Sequence, residues 1–262
     1  MPSTASWKPA RSWPLFLVLL IAEIWLAHAI AFFAHEYAHS TLAWALGWKS
    51  NPLAIEYAHP TLSNLLYQGD IDEKVDYAPI FAAGNFVQAG LIAAAGMVLG
   101  NVLITYPIAL WALAAAKRRA SRTWALFAYL LTIASVGNFI DYVPVRTFAP
   151  NSDMYTFERG VGWSPRTVLL VLGIPFAVAL AHFLVRLEPR TLRWLFPETP
   201  AHRWLLILFT GFALFGFYGS AGASASYGPV SNSISHISLY VFFPLMTVLT
   251  AWLTERRQRQ TE

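Results

Sequence analysis

Long apolar segments alternate with short polar ones along the chain, and this pattern predicts helices that span a membrane. The first apolar run begins at Pro14 and continues to Leu46, which as an α-helix would be about 50 Å long. Gly47 marks the expected C-terminal end of that helix. Later runs that roughly fit one crossing each lie near residues 124–140, 168–185, 204–218 and 237–253.

The apolar stretch from Tyr77 to Ala116 is too long for one span and barely long enough for two. The basic residues decide between these alternatives, because cytoplasmic loops carry an excess of Lys and Arg. If the stretch crosses once, all the main basic clusters fall on one side: Lys8 and Arg11, residues 117–122, residues 186–193 with Arg203, and residues 256–259. We therefore predict one full span near residues 97–116, preceded from Ala78 by a re-entrant, interfacial or extended helical segment.

The composition agrees with a membrane protein. Hydrophobic residues make up 56% of the 262 residues, charged residues 12%, and the mean hydropathy is +0.48, which excludes an ordinary soluble domain. The net charge of +4 and the pI near 9.4 do not indicate nucleic-acid binding, because the basic residues flank apolar runs. The predicted fold is an all-α polytopic membrane protein, one domain over residues 1–262, with about six transmembrane helices and a re-entrant or broken helix within 78–100.

Three polar residues near the end of the first helix have the spacing of a metal site. His35 and His39 lie one turn apart on one helix face, so both imidazoles can reach a single Zn²⁺. Glu36 projects beside them, where a carboxylate can take a proton from an attacking water. The chain has no cysteine, which leaves His, Asp and Glu as candidate ligands. The alternative is that these residues only face a wet cavity or a partner helix, although intramembrane ionisable groups are functional by default.

A catalytic zinc site takes a third protein ligand and keeps a fourth position for water. Asp141, just after the span ending near Ile140, and Asp153, in a polar turn beyond it, are the two candidates. The predicted topology places both, with Asn138, on the side of the membrane where the first helix ends. The structural alternatives are an ion pair between Asp141 and Arg146, and a turn in which Asp153 bonds its own backbone.

Other polar residues receive structural interpretations. His28 precedes His35 by about two helical turns, so it either packs beside the metal cavity or orients water there. The acidic run over residues 70–76 is interpreted as a solvated surface. A cleaved signal peptide ending near residues 27–29 is the alternative to the first helix, but the helical pattern runs through that point and carries the histidines.

These features resemble the site-2 protease family of intramembrane zinc metalloproteases. The matching stretches are the run from His35 to His39 on the first long helix, the Ala82-Ala83-Gly84-Asn85 segment that opens the next apolar stretch, and the segment from Asn138 to Asp153. The resemblance covers a protease-like core of about residues 14–155 and leaves additional spans over about 166–254 unexplained.

The resemblance also implies roles for individual residues after the third span. Asp153 looks like the family's third zinc ligand, and Asn138 looks like the asparagine that helps to hold the extended backbone of the substrate. Pro144 corresponds to the proline of the same family pattern. Asp153 is therefore preferred over Asp141 as the third ligand.

We expect a zinc-dependent intramembrane endopeptidase that hydrolyses a peptide bond in or near a transmembrane segment of a membrane protein. Glu36 is the expected general base, and His35, His39 and Asp153 are the expected Zn²⁺ ligands. Two alternatives use the same residues: a membrane metal hydrolase acting on a lipid or small amide, and a catalytically inactive protein that binds a metal or a client helix. The expected location is a bacterial-type inner or plasma membrane, multi-pass, with both termini cytoplasmic. The lipid bilayer is an expected partner and nucleic acid is not.

Overall fold

The structure, a computed structural model, describes residues 13–258. Six long helices are present in this range: α1 (Trp13–Ala45), α4 (Phe86–Arg118), α5 (Arg122–Phe148), α7 (Pro165–Leu195), α8 (Pro200–Ala223) and α9 (Gly228–Arg256). Three short helices lie in the connections: α2 (Leu62–Tyr67), α3 (Tyr77–Ala82) and α6 (Asp153–Val161). All six long helices are long and apolar enough to cross a membrane. The predicted all-α polytopic fold is confirmed, and strand pairing in residues 13–258 is limited to one isolated bridge, between Glu56 and Asp72.

The helices are longer than the apolar runs alone predicted. The stretch after Tyr77 contains the expected break, because α3 ends at Ala82 and Gly84 has a positive φ of 76° before α4 begins. The residues that precede the predicted 97–116 span are helical from Phe86 onward, so they extend that span at its N-terminal end. Residues 219–235 are rich in Gly and Ser, yet most of them are helical, because α8 continues to Ala223 and α9 begins at Gly228. Five of the six long helices contain π-helical turns, the longest over Gly96–Thr105 in α4.

Contacts between helix ends define a basic end of the bundle. The Lys117 ammonium at the end of α4 donates to the Thr191 hydroxyl of α7 at 2.9 Å, and Arg203 of α8 pairs with Glu255 of α9 at 3.2 Å. The basic residues at this end are Lys117, Arg118, Arg119, Arg122, Arg186, Arg190, Arg193, Arg203 and Arg256. Lys8, Arg11 and Arg259, which the charge pattern assigns to the same side, lie outside the described residues. The arrangement agrees with a single crossing of the stretch that contains α4.

The most deeply buried of the spans, α5, is the centre of the bundle. The Tyr129 hydroxyl of α5 lies 2.7 Å from the Thr210 hydroxyl of α8, and both groups are buried. A Cβ atom on Gly137 would lie 2.0 Å from the Tyr218 ring, so this glycine allows α8 to pack closely. Because lipid tails are as apolar as the helix surfaces, such close packing and buried hydrogen bonds hold membrane helices together. The C-terminal spans therefore pack directly on α5.

The connection between α1 and α3 folds back along α1. The Trp25 indole donates to the Leu65 carbonyl at 2.8 Å, and His28 donates to the Tyr67 carbonyl at 3.1 Å. These side chains satisfy carbonyls at the end of α2 that have no partner within so short a helix. Since Trp25 precedes the end of α1 by twenty residues, the connection returns roughly 30 Å along the helix axis. The connection therefore covers the flank of α1 on the N-terminal side of His35 and His39.

Candidate metal centre

The side chains of His35, His39 and Asp153 converge at the end of the bundle opposite the basic end. The two Nε2 atoms are 3.0 Å apart, and Asp153 Oδ2 lies 3.7 Å from His35 Nε2 and 3.5 Å from His39 Nε2. Both histidines are almost completely buried. Among the described residues this is the group of His, Asp and Glu side chains close enough together to share one metal ion. The predicted meeting of these three residues is therefore observed.

Hydrogen bonds to the far side of each imidazole fix its tautomer. His39 Nδ1 lies 2.6 Å from the Ile92 carbonyl oxygen, which can only accept, so Nδ1 carries the proton. The Asn101 amide donates to the Ala31 carbonyl at 3.0 Å, which turns its oxygen toward His35 Nδ1 at 2.9 Å. In the neutral imidazoles, both Nε2 atoms therefore face each other as lone pairs.

Three acceptors thus meet with no donor between them, which is the arrangement that a cation requires. In the neutral tautomers, two nitrogen lone pairs and a carboxylate oxygen would repel one another at 3.0 to 3.7 Å unless a positive charge lay between them. Tetrahedral zinc ligands at about 2.1 Å from the metal are about 3.4 Å from each other. The observed separations fit that spacing.

Two glycines on α4 keep the space beside the histidines open. A Cβ atom on Gly96 would lie 2.2 Å from His39 Nε2 and 2.3 Å from His35 Nε2, and one on Gly100 would lie 2.5 Å from the Ala34 carbonyl oxygen. The same Cβ would lie 2.4 Å from His35 Cδ2, so a methyl group on Gly96 would collide with both imidazoles and push them out of position. The donor atoms and the space between them both fit a bound metal.

Asp153 is held by the helix that it begins. The Ser152 hydroxyl caps α6 by accepting from the Tyr155 amide at 3.1 Å, and α6 packs closely on α4, because a Cβ on Gly160 would lie 2.5 Å from the Gly90 Cα. The sequence-based expectation of a turn at Asp153 is thus replaced by a helix start. Burial alone would raise the pKa of the Asp153 carboxyl, but the imidazoles of His39 and His35, in their protonated form, hold it below its ordinary value.

Glu36 is buried on the same turn of α1, 6% exposed. Its carboxyl group lies close enough to His39 and Asp153 to interact with them electrostatically. A second carboxyl, that of Glu73, also interacts with His39 and Asp153. Glu73 is buried, accepts a hydrogen bond from the Tyr77 hydroxyl at 3.0 Å, and has a pKa raised mainly by burial. The interpretation of residues 70–76 as a solvated surface is therefore wrong for Glu73.

The structure gives the other predicted residues different surroundings. Asp141 forms an ion pair with Arg146, with 3.0 Å between Oδ2 and the guanidinium, and is not part of the three-residue group. Asn138 is buried and donates to the Ala134 carbonyl of its own helix at 2.9 Å, so its substrate-holding role remains a prediction. Pro144 lies in a π-helical turn of α5.

His28 has a structural environment. Its Nε2 donates to the Tyr67 carbonyl, so Nδ1 is free to accept from the Tyr218 hydroxyl at 2.8 Å. Of the two predicted roles, packing beside the cavity is the one that these contacts favour.

Sequence reasoning missed Asn101, Gly96 and the Tyr142 ring, whose centroid lies 4.5 Å from that of His35. Gly96 and Gly100 did carry a signal, because small residues four apart in an apolar helix mark a close helix–helix contact. No local pattern indicates the partner of that contact. The hydrogen bond from His35 to Asn101 joins residues 66 apart in sequence, and such a pairing is set only by tertiary packing.

Replacing each aspartate separately tests the identity of the third ligand. We expect Asp153→Asn to weaken zinc affinity, and so to lose bound zinc, because it removes a charged ligand. The loss of affinity should exceed the roughly 10–100-fold that is typical of a change outside the ligand sphere. Asp141→Asn is the matched control, since it removes the same charge from the ion pair with Arg146 and should keep the metal. Elemental analysis of both purified variants provides the measurement. Zinc lost from the Asp141 variant and kept by the Asp153 variant would reverse the assignment.

Asn101→Leu tests how the His35 ring is oriented. Without an acceptor for Nδ1–H, the ring loses its fixed tautomer, and we expect metal affinity to fall by roughly 10–100-fold. Thr105→Val, one turn further along α4, removes a buried hydroxyl that does not bond to His35, and should bind zinc like the wild type. Competition with a fluorescent zinc chelator would measure both affinities, and equal values for the two variants would rule out the orienting role.

The chain matches no known family model, and no curated protein or solved structure shows significant similarity to it.

Proposed function

We propose that this protein is a zinc-dependent intramembrane endopeptidase. The observation that carries the proposal is a buried centre of His35, His39 and Asp153 with the Glu36 carboxylate on the same helical turn, set within a bundle of apolar helices. Two imidazoles and one carboxylate are the donor set of many catalytic zinc sites, and three protein ligands leave a position for a reactant. The absence of cysteine is consistent with this nitrogen and oxygen ligation.

The residues of the chain divide the hydrolysis between them. When bound, zinc polarises a peptide carbonyl and makes water more acidic. Glu36 accepts a proton from the attacking water as the oxygen atom of that water bonds to the carbonyl carbon. It then delivers that proton to the amide nitrogen as the carbon–nitrogen bond breaks. Asn101 and the Ile92 carbonyl keep both imidazoles in the orientation that presents Nε2.

A membrane-protein segment is the substrate class that we propose. The centre is built from α1, α4 and the start of α6, two of which are helices apolar enough to span the membrane. A transmembrane substrate satisfies its own backbone as a helix and must unwind locally before a peptide bond is open to attack. By resemblance, Asn138 would bind the unwound backbone. The positive-inside pattern would place the basic end, and both termini, in the cytoplasm.

Metal removal and restoration test the proposal. The purified full chain is incubated with a reporter protein whose transmembrane segment is flanked by soluble tags, and cleavage is followed by gel and mass spectrometry. We expect a chelator to abolish cleavage and stoichiometric zinc to restore it. A phospholipid and a small aryl amide are offered in parallel.

Cleavage that continues after elemental analysis shows the metal to be gone would overturn the metalloprotease assignment. Hydrolysis of the lipid or the small amide, with the reporter left intact, would instead favour a different membrane hydrolase.

A further inference from the structure

A second cavity lies at the basic end, far from the metal centre. Its volume is about 240 Å³, and it lies open to the surface between the last turns of α4 and the second half of α7. The residues that line it are Leu110, Leu113, Ala114, Lys117, His182, Arg186, Leu187 and Arg190. Four of these eight residues are aliphatic, and the other four are a lysine, a histidine and two exposed arginines.

No carboxylate among residues 13–258 forms an ion pair with the positive charges in this cavity. No Asp or Glu is among its lining residues, and Lys117 bonds to a neutral hydroxyl, that of Thr191, at 2.9 Å. Lys117 and Arg190 are close enough to repel one another. Glu188, on the same helix, is fully buried, with its carboxyl directed toward Tyr129 inside the bundle. Gathering like charges between two helices is unfavourable, so the site fits an anionic ligand.

Exposed tryptophans show the depth at which the cavity lies. Tryptophan rings concentrate at the membrane–water interface, level with the lipid headgroups. The exposed tryptophans toward the basic end are Trp13, Trp111, Trp124, Trp204 and Trp252. Lys117 follows Trp111 by six residues on α4, about 9 Å along the helix. The cationic half of the cavity is therefore at headgroup level or just beyond it.

The aliphatic half continues onto the lipid-facing surface. Ile108 and Trp111, one turn from the cavity on α4, are exposed, and Leu110 and Leu113 form the cavity wall. A ligand with a phosphate group and an acyl chain would satisfy both halves, whereas a free phosphate ion would use only the cationic half. Basic pockets between membrane helices on the cytoplasmic side bind anionic lipid headgroups by this combination.

We propose that this cavity binds an anionic phospholipid of the surrounding leaflet. The phosphate lies between Lys117, Arg186 and Arg190, and an acyl chain follows Leu110 and Leu113 toward the bilayer centre. The proposal is independent of the chemistry at the metal centre, because none of its residues contributes to that site.

Lipid binding to the purified full chain tests this site. Native mass spectrometry compares phosphatidylglycerol with phosphatidylcholine of the same acyl chains. We expect the anionic lipid to bind at least about tenfold more tightly, since each basic side chain near a headgroup contributes appreciably to binding. The double variant Arg186→Gln/Arg190→Gln should remove most of that preference. Arg118→Gln/Arg119→Gln removes the same charge from exposed positions at the same end that do not line the cavity, and should keep the preference.

Three outcomes would overturn the proposal. Equal binding of the two lipids by the wild-type chain would exclude an anionic-lipid site without reference to any variant. Equal loss of the preference for phosphatidylglycerol in both double variants would show that the preference comes from general surface charge and not from this cavity. Complete displacement of phosphatidylglycerol by an equal concentration of inorganic phosphate would assign the cavity to the free ion.

Discussion

Glu36→Gln is expected to abolish peptide-bond cleavage while the protein keeps its zinc. Glutamine has nearly the same shape as glutamate but cannot accept a proton at the operating pH, and loss of a general base typically costs about 10²- to 10⁴-fold in rate. Glu36 is not part of the three-residue group that could hold a metal ion, so we expect zinc content to stay near that of the wild type. The measurement pairs elemental analysis with the reporter-cleavage assay on the same preparation.

Glu23→Gln provides the matched control on the same helix. Glu23 is also an intramembrane glutamate, with one carboxylate oxygen buried and unpartnered, but it lies more than three helical turns before Glu36. Its variant should cleave like the wild type. Full activity of the Glu36 variant would exclude the proposed mechanism, and zinc loss in that variant would make Glu36 a metal-site residue instead.

Gly96→Ala is expected to empty the metal centre without touching a ligand. The added methyl group would lie 2.2 and 2.3 Å from the two Nε2 atoms and 2.4 Å from His35 Cδ2, so both imidazoles must leave the positions in which they face Asp153. Because α4 also packs closely on the α1 backbone at Gly100, the helix has little room to move away. Zinc content should fall to background, and reporter cleavage should fall with it.

Gly173→Ala is the comparison that separates this effect from a general cost of altering a membrane helix. A Cβ atom on Gly173 in α7 would have its nearest neighbour at 3.5 Å, an ordinary contact, so this variant should bind zinc normally. Thermal unfolding in detergent shows whether each protein remains folded. A folded Gly96 variant with full zinc content would show that zinc binding does not depend on the observed positions of the two imidazoles.

Most of the helical framework could be predicted from local sequence. Apolar length predicted all six spans, and the side of the basic clusters correctly predicted that the stretch after Tyr77 crosses once. The helix ends were harder to predict. A π-helical turn over Asp141–Val145 and a 3₁₀ turn over Arg146–Phe148 extend α5, and α9 begins at Gly228 within a segment rich in Gly and Ser. Polar and glycine-rich residues near an interface can continue a helix when neighbouring helices satisfy or shield its backbone.

The candidate site divides in the same way. His35, Glu36 and His39 are determined by the sequence itself, because spacing along one helix fixes their relative positions whatever the rest of the chain does. The choice between Asp153 and Asp141 was decided only by tertiary structure. The close approach of α6 to α4 at Gly160 brings Asp153 to the histidines, whereas Asp141 forms an ion pair with Arg146. The Asn101 contact and the open space at Gly96 likewise depend on how α4 packs against α1, since contacts between distant segments follow from packing and not from local periodicity.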